Sequence, residues 1–365
     1  MKSKKYEIFL ITGGTAGHII PAINFSNYLT KNNISNLIMT DNRGLKYFDN
    51  TKYDYRIISS SHLKKYNLQF INAIFLLILG FFQFSILLFK FRPKNILTFG
   101  SYASFSPLIS TIIFKGILRT KIYFHEQNSV IGKVHNFFSF ASDKIFLTYK
   151  DTIGIRKKNN VIYSGFPIDP EIMKYQKKYF ENYTNTKIIN LFVFGGSQGA
   201  LNLSRKIVEI LINLPLSSQK LIRLTIQVPE IDIDKIKSQL NETKIIYEID
   251  SFFYNMISRL SKSDLCICRA GSSTINELCI LGIPSIIVPL PSASNNHQYH
   301  NAKFLSEKGG AILIKENDLL NENNLNTLND LICNISLLRK MSLNLKKIDQ
   351  IQSNDLIFNE IFNKK

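Results

Sequence analysis

IFLITGGTAGHIIPAINFSNYL, from Ile8 to Leu29, passes from a short apolar run through a glycine turn into apolar residues at helical spacing. That order is a βα unit, with its turn at the carboxyl end of the strand, the edge where open α/β sheets bind ligands. The same order returns in IINLFVFGGSQGALNLSRKIVEILI, from Ile188 to Ile212. Further strand-like runs accompany each unit: Asn95 to Thr98, Lys121 to Phe124 and Lys144 to Leu147, then Leu224 to Val228, Leu265 to Cys268 and Ser285 to Val288. Strands alternating with helices predict parallel sheets, hence two α/β domains facing one cleft. SGFPIDP, Ser164 to Pro170, joins a glycine to two prolines and marks the boundary. The tail after Asn321, rich in Asn and Lys with helical apolar spacing, predicts a terminal surface helix.

Size and composition agree. A chain of 365 residues with 45% hydrophobic and 20% charged residues is a globular protein of two ordinary domains, neither disordered nor polytopic. Lys and Arg number 45 against 27 Asp and Glu, and the resulting +18 favours a polyanionic partner: an anionic bilayer, a phosphorylated substrate or nucleic acid. Nucleic acid is disfavoured, because the basic residues are scattered and no recognition motif accompanies them. Cys266, Cys268, Cys279 and Cys333 form no paired CxxC set; Cys266 and Cys268 read as small hydrophobes on one face of a buried strand in a reducing cytoplasm. The IFLI run ends before Gly13, too short for a signal-peptide core.

LQFINAIFLLILGFFQFSILLFKF, Leu68 to Phe91, approaches the length of a membrane span, but Asn72, Gln83 and Ser85 interrupt it. Lys64 and Lys65 on one side and Lys90, Arg92 and Lys94 on the other put cations at both ends, whereas a span tends to be positive on one side. Three readings stand: a helix of the first domain that also shows an apolar face to the bilayer, a buried core helix, and a transmembrane span.

The chemistry-bearing motifs cluster at strand ends. GGTAGH, Gly13 to His18, and GGSQGA, Gly195 to Ala200, are turns whose backbone N–H groups can close around phosphate oxygens at a helix start. Two of them suit a nucleotide diphosphate. Neither carries GK[ST] or a complete GxGxxG, which argues against an ATPase or a dehydrogenase. CRAGSSTINEL, Cys268 to Leu278, sets Gly271, Ser272, Ser273 and Thr274 at a helix start with Glu277 one turn inside. A carboxylate there can take two hydrogen bonds from a ribose diol, although Glu277 alone also reads as a solvated helix acid. Gln298, in HQYHNA, offers an amide to sugar hydroxyls, and HEQN, His125 to Asn128, gathers hydrogen-bonding side chains after a strand.

GGTAGHIIPA, FGSYASFSP from Phe99, HEQNSVIG from His125, SGFP, GGSQGALN, CRAGSSTINEL and IPSIIVPLPSASNNHQYHNA from Ile283 together, in this order, resemble the MurG family of glycosyltransferases, glycosyltransferase family 28. The resemblance covers almost the whole chain. It implies a GT-B fold, two Rossmann-like domains facing across a cleft: an acceptor and membrane-associating domain at 1–166, a UDP-GlcNAc-binding domain at 167–344, and a final helix near 345–365 packing back on the first. It further implies that Thr15, Ala16, Gly17, Asn128, Ser197, Phe253, Ser272, Ser273, Thr274, Ile275, Asn276, Glu277 and Gln298 contact UDP-GlcNAc. Ala16, Ser101, His135, Phe166 and Phe253 depart from the family's Gly, Gly, Asn, Asn and Ile, and Asp169 stands where the family has an Arg, a reversal of charge.

The reaction implied is inverting: the C4 hydroxyl of a lipid-linked muramyl-pentapeptide attacks C1 of GlcNAc as UDP leaves. His18 is the candidate general base, with His125 and Glu126 as rivals. No acidic DxD-type metal site is evident, and no cofactor is expected. The implied setting is the cytoplasmic face of the inner membrane, held peripherally by an anionic surface, with other cell-wall synthesis proteins as partners. A glycolipid synthase of the same fold and a non-catalytic sugar-nucleotide-binding protein at the membrane are the competing readings.

Overall fold

The structure, a computed structural model, describes residues 5–48, 52–61, 68–155, 160–176, 188–253, 255–348 and 352–363, with the backbone alone at 68–69 and 196–201. The chain divides into two compact units, Met1–Asp169 with Ile351–Lys365, and Pro170–Gln350. Lys64 and Lys65 lie outside the described residues.

The first unit is built on seven parallel strands: β1 (Ile8–Ile11), β2 (Asn36–Thr40), β3 (Tyr55–Ile57), β4 (Asn95–Thr98), β5 (Lys121–Glu126), β6 (Lys144–Leu147) and β7 (Val161–Tyr163). They lie in the order β3-β2-β1-β4-β5-β6-β7. Its helices are α1 (Ala16–Lys31), α2 (Leu68–Phe91), α3 (Phe105–Leu118) and α4 (Lys133–Phe138). Every side chain of β1 is buried, because a central strand of a parallel sheet is covered on both faces. Period-two alternation then sorts them: Ile8 and Leu10 join Ala22, Phe25 and Leu29 of α1, while Phe9 and Ile11 meet Phe84 and Leu88 of α2.

The second unit repeats the plan with six parallel strands: β8 (Ile189–Phe194), β9 (Ile222–Gln227), β10 (Ile246–Asp250), β11 (Leu265–Cys268), β12 (Ser285–Ile287) and β13 (Ala311–Leu313), ordered β10-β9-β8-β11-β12-β13. Its helices are α5 (Gly196–Ile212), α6 (Leu216–Gln219), α7 (Ile233–Asn241), α8 (Met256–Lys262), α9 (Ser272–Leu281), α10 (His297–Glu307), α11 (Glu322–Cys333) and α12 (Ile335–Lys346). Cys266 and Cys268 are buried in β11, as small hydrophobes would be. The last helix, α13 (Ser353–Phe362), belongs to the first unit. It is a surface helix with one face packed inward: Ile357 and Ile361 enter the core beside Ala22, Phe25 and Leu29, the Tyr28 hydroxyl donates to Asp355, and Asp355 and Asn359 are exposed.

Polar contacts fasten α2 to its unit. Gln83 accepts the Ser59 amide at 2.9 Å, Ser85 meets Ser110 at 2.8 Å, and Ser106 donates to the Leu77 carbonyl at 2.7 Å. Gly80 permits the approach, since a Cβ there would stand 2.1 Å from the Ser59 carbonyl oxygen. The opposite face is an exposed apolar stripe of Ile71, Phe75, Ile78, Phe82, Ile86 and Phe89, at helical spacing. Ile113 and Ile117 of α3, with Phe137 and Phe140, are also exposed. Of the polar interruptions noted in the sequence, Gln83 and Ser85 are thus points of attachment, whereas Asn72 is exposed.

Candidate functional site

In a doubly wound sheet, ligands gather where the strand order reverses, at the carboxyl ends of the two central strands. In the first unit those strands are β1 and β4, and the turns leaving them are Gly13 to Thr15 and Phe99 to Ser101. Thr15 is the N-cap of α1 and makes no side-chain cap, and the first turn holds no acid, so the helix start keeps its affinity for anions. Ala16 and Gly17 are the first two helical residues. The Gly14 amide is already engaged: it donates to Asp41 Oδ1 at 3.1 Å, and Asp41 also holds the Gly44 amide and the Arg43 guanidinium. The first glycine turn therefore offers fewer amides than its sequence suggests, and Asp41 braces it from β2.

His18 stands one residue further along α1. Its Nδ1 lies 2.8 Å from the Phe99 carbonyl oxygen, which can only accept, so the tautomer with its proton on Nδ1 donates there and carries its lone pair on Nε2, while Gln127 Nε2 also approaches Nδ1. Gln127 donates to the same carbonyl at 2.6 Å and touches the His18 ring. Gly100 passes beside both His18 and His135; its φ is +85°, and a Cβ would meet them at 3.4 and 3.3 Å. No smaller residue exists for that gap.

His125 and Glu126 do not follow β5, as the motif suggested, but end it. His125 is fully buried and points Nε2 at the Gly165 carbonyl, 3.0 Å away. Burial pushes its pKa down to about 4, against the pull of Gly165 and Glu126, so the ring is neutral at pH 7. Glu126 is buried as well. Its oxygens accept from the Asn128 amide (3.1 Å), the Asn128 side chain (3.3 Å), the Gly132 amide (2.9 Å) and His135 Nδ1 (3.0 Å). Burial raises the pKa of such a group, but the His135 hydrogen bond and charge and the Gly132 amide outweigh it, and the carboxyl stays below its ordinary range. His135, where the resemblance expects Asn, supplies an equivalent donor. Phe166 is buried with its ring edge toward His125, and Asp169 is half-buried at the last position of the unit's first segment.

The second unit presents the matching edge, between β8 and β11. After β8, Gly195 caps α5 without a side chain; Ser197 lies in its first turn, and its side chain is outside the described residues. After β11, Gly271 caps α9, again with no side-chain cap and no acid in the first turn. Ser272 and Ser273 are buried, and the Ser273 hydroxyl finds no partner among the described residues. Thr274 is half-exposed beside them. Ile275 is core, packed with Cys279 and Ile287, so only its backbone can face a ligand, and Asn276 turns back onto the Ser272 carbonyl at 2.8 Å. Glu277 is half-buried, makes no hydrogen bond or ion pair among the described residues, and is pushed up to about 7 by burial. It is not the solvated helix acid that its position alone permits. Gln298 spends its carbonyl oxygen on the Ala270 and Leu290 amides, at 3.2 and 2.9 Å, which leaves its NH₂ as the reading group. Phe253 is buried, with the Arg259 guanidinium 4.2 Å from its ring centre.

Sequence reading passed over several residues that build these edges. Asp41, Gln127, Arg269 and Asn301 act through partners 19 to 109 positions away, which no local pattern reports. It also passed over a literal D-x-D, Asp232 to Asp234; Asp232 is clamped by Arg205 through two bonds of 2.7 and 2.8 Å at the start of α7. Among the described residues no three His, Cys, Asp or Glu side chains gather as a metal site would require.

Two Rossmann-like domains, each with uncapped helix starts at its switch point, define a GT-B fold. Residues 8–147 match the glycosyltransferase family 28 N-terminal domain and residues 190–354 its C-terminal domain; the chain belongs to that family. Among its relatives is the UDP-N-acetylglucosamine–N-acetylmuramyl-(pentapeptide) pyrophosphoryl-undecaprenol N-acetylglucosamine transferase of Rickettsia bellii, 34% identical over 93% of this chain and 95% of that one. A transferase of the same name from a Wolbachia of Drosophila simulans is 32% identical over 93% and 94%. Among solved structures, MurG of Acinetobacter baumannii superposes with a TM-score of 0.75 at 20% identity, over 97% and 99% of the chains. A UDP-N-acetylglucosamine 2-epimerase of Listeria monocytogenes shares the fold at 0.67, with 14% identity over 99% and 98%.

Proposed function

We propose that the enzyme moves GlcNAc from UDP-GlcNAc to the C4 hydroxyl of the undecaprenyl-pyrophosphoryl MurNAc-pentapeptide, with inversion at C1, on the cytoplasmic face of the inner membrane. The observation that carries this reading is end-to-end likeness to transferases of that name, spanning both glycine-turn edges. The first unit takes the acceptor and supplies the base, and the second takes the donor. In the second unit Ser197, Phe253, the start of α9 and Gln298 hold UDP-GlcNAc. Glu277 accepts from the ribose diol, and its burial without a partner fits a carboxylate that waits for two donors.

His18 takes the acceptor proton at Nε2, in the tautomer that donates from Nδ1 to the Phe99 carbonyl. Glu126 and His125 are assigned to positioning, the first shaping the Asn128 to Gly132 loop and the second tying β5 to Gly165. Charge builds on the leaving diphosphate late in the reaction, and fixed amides at the start of α9 stabilise it most there. The exposed stripe on α2, bordered by Lys90, Arg92 and Lys94, rests on anionic lipid.

The test is transfer of labelled GlcNAc from UDP-GlcNAc to the muramyl-pentapeptide lipid, with a diacylglycerol acceptor alongside. Product with the muramyl lipid alone is expected. Product with diacylglycerol alone would make the chain a glycolipid synthase, and donor binding without any product would make it a binding protein.

A further inference from the structure

Arg269 and Glu316 form an ion pair of 2.7 Å in which both side chains are more than nine-tenths buried. Burying two charges costs several kcal/mol, so such a pair is weak evidence of stabilisation and calls for another reason. Its surroundings supply one. Arg269 lies in the turn after β11, and its Nη1 reaches the carbonyls of Val288 and Pro289, at 3.3 and 3.4 Å, in the turn after β12. Glu316 comes from beyond β13, where Lys206 of α5 donates to its carbonyl at 2.7 Å. The guanidinium thus links the ends of three neighbouring strands. Gln298 makes a second link between the same two turns, through the Ala270 and Leu290 amides, and Asn301 holds the Ala270 carbonyl at 3.2 Å.

We infer that the buried Arg269–Glu316 pair is a positioning device that sets the distance between two parts of the donor site, the α9 start and the loop from Pro289 to Gln298. The inference rests on the donor reading given above. Of these two parts, the α9 start, from Ser272 to Glu277, serves the diphosphate and ribose, while the sugar also needs the NH₂ of Gln298. A ligand without the sugar touches one part; the complete donor spans both. Releasing the pair therefore weakens the complete donor and spares the nucleotide. Arg269 does this as a fork: one nitrogen meets the carboxylate while another meets the carbonyls, and a lysine ammonium cannot reach all three in that plane.

The experiment measures Kd for UDP-GlcNAc and for UDP by calorimetry on the full chain. Glu316→Ala is expected to weaken UDP-GlcNAc by about tenfold and UDP by less than about twofold. Glu316→Gln, which keeps an oxygen for Nη2, returns the donor to within about threefold of the unaltered protein. Should Glu316→Ala fail to fold, Arg269→Lys decides, with the same split between the two ligands expected. Parallel weakening of both ligands, or no change in either, would overturn the inference while leaving the donor site in place. Failure of the unaltered protein to bind UDP-GlcNAc would overturn the reading of the site, and this inference with it.

Discussion

In the proposed reading His18 donates from Nδ1 to the Phe99 carbonyl and accepts a proton at Nε2, so removing the ring should harm proton transfer more than donor binding. His18→Ala is expected to lower turnover by about 100-fold or more with UDP-GlcNAc affinity little changed, read by single-turnover transfer and by calorimetry. Unchanged turnover would take the base assignment from it. His125 makes a different prediction. Its folded pKa, about 4, lies below the ordinary 6.5, so the unfolded chain binds the extra proton between those values, and stability falls as pH drops through that window. The loss amounts to about 3 kcal/mol, and urea unfolding of His125→Gln at pH 7 and 4.5 should lack it. An identical pH dependence in the variant would place the titration elsewhere. Ser101 concerns the backbone: at φ +72°, ψ 161° it occupies a region that essentially only glycine tolerates. Ser101→Gly should stabilise by about 1 kcal/mol, and no rise in Tm would show that the Ser101 hydroxyl, 3.4 Å from the Ala103 amide, outweighs the strain. The candidate residues of the glycine turns, Thr15 to His18 and Ser272 to Glu277, were legible in sequence because they follow a glycine at a helix start. Their partners were not, since Phe99 is 81 positions from His18 and Asp41 is 27 from Gly14.

At the scale of elements, legibility followed length and burial. β4, β6 and β11 have the bounds read from their apolar runs, and α2 spans the whole of Leu68–Phe91. β2 also went unread; β3, β7 and β13 went unread because three residues that are not all buried make no apolar run, unlike the three wholly buried residues of β12, and β10 because an edge strand that alternates exposed and half-buried positions resembles a loop. What sequence could not settle for α2 was which face it spends on its own domain, a matter of Gly80, Gln83 and Ser85 meeting partners on other elements. The free face yields a prediction. Phe75 and Phe82 are 61% and 58% exposed, and a large side chain gains about 2 kcal/mol on leaving water. Replacing both by Asp should lower partition onto anionic vesicles by more than about tenfold, while Tm and donor affinity hold. Sedimentation with vesicles reads the first quantity, and unaltered partition would mean that another surface meets the lipid.

At the scale of the whole molecule, the chain builds two sheets of the same winding, then returns its last helix to the first. Each unit has its own core: β1, α1 and α13 share one set of apolar side chains, and β8, α5 and α7 another. Sequence disclosed the duplication, through two glycine turns, and a final helix at the surface; its apolar spacing cannot say which core receives it, and only the family resemblance offered the first domain. Ile357 is fully buried in the first unit's core, with Asp355 on Tyr28 and Glu360 on Lys144 to either side. An isoleucine cut to alanine in such a place costs about 2–5 kcal/mol. Ile357→Ala should therefore lower the unfolding temperature of the first unit alone. Calorimetry can tell the units apart, since a ligand raises the transition only of the unit that binds it. With UDP-GlcNAc present, the transition that rises should be the one that Ile357→Ala leaves unmoved. If the substitution lowers the ligand-raised transition by the same amount, the two cores unfold as one, and the last helix stabilises the entire chain rather than the unit that holds it.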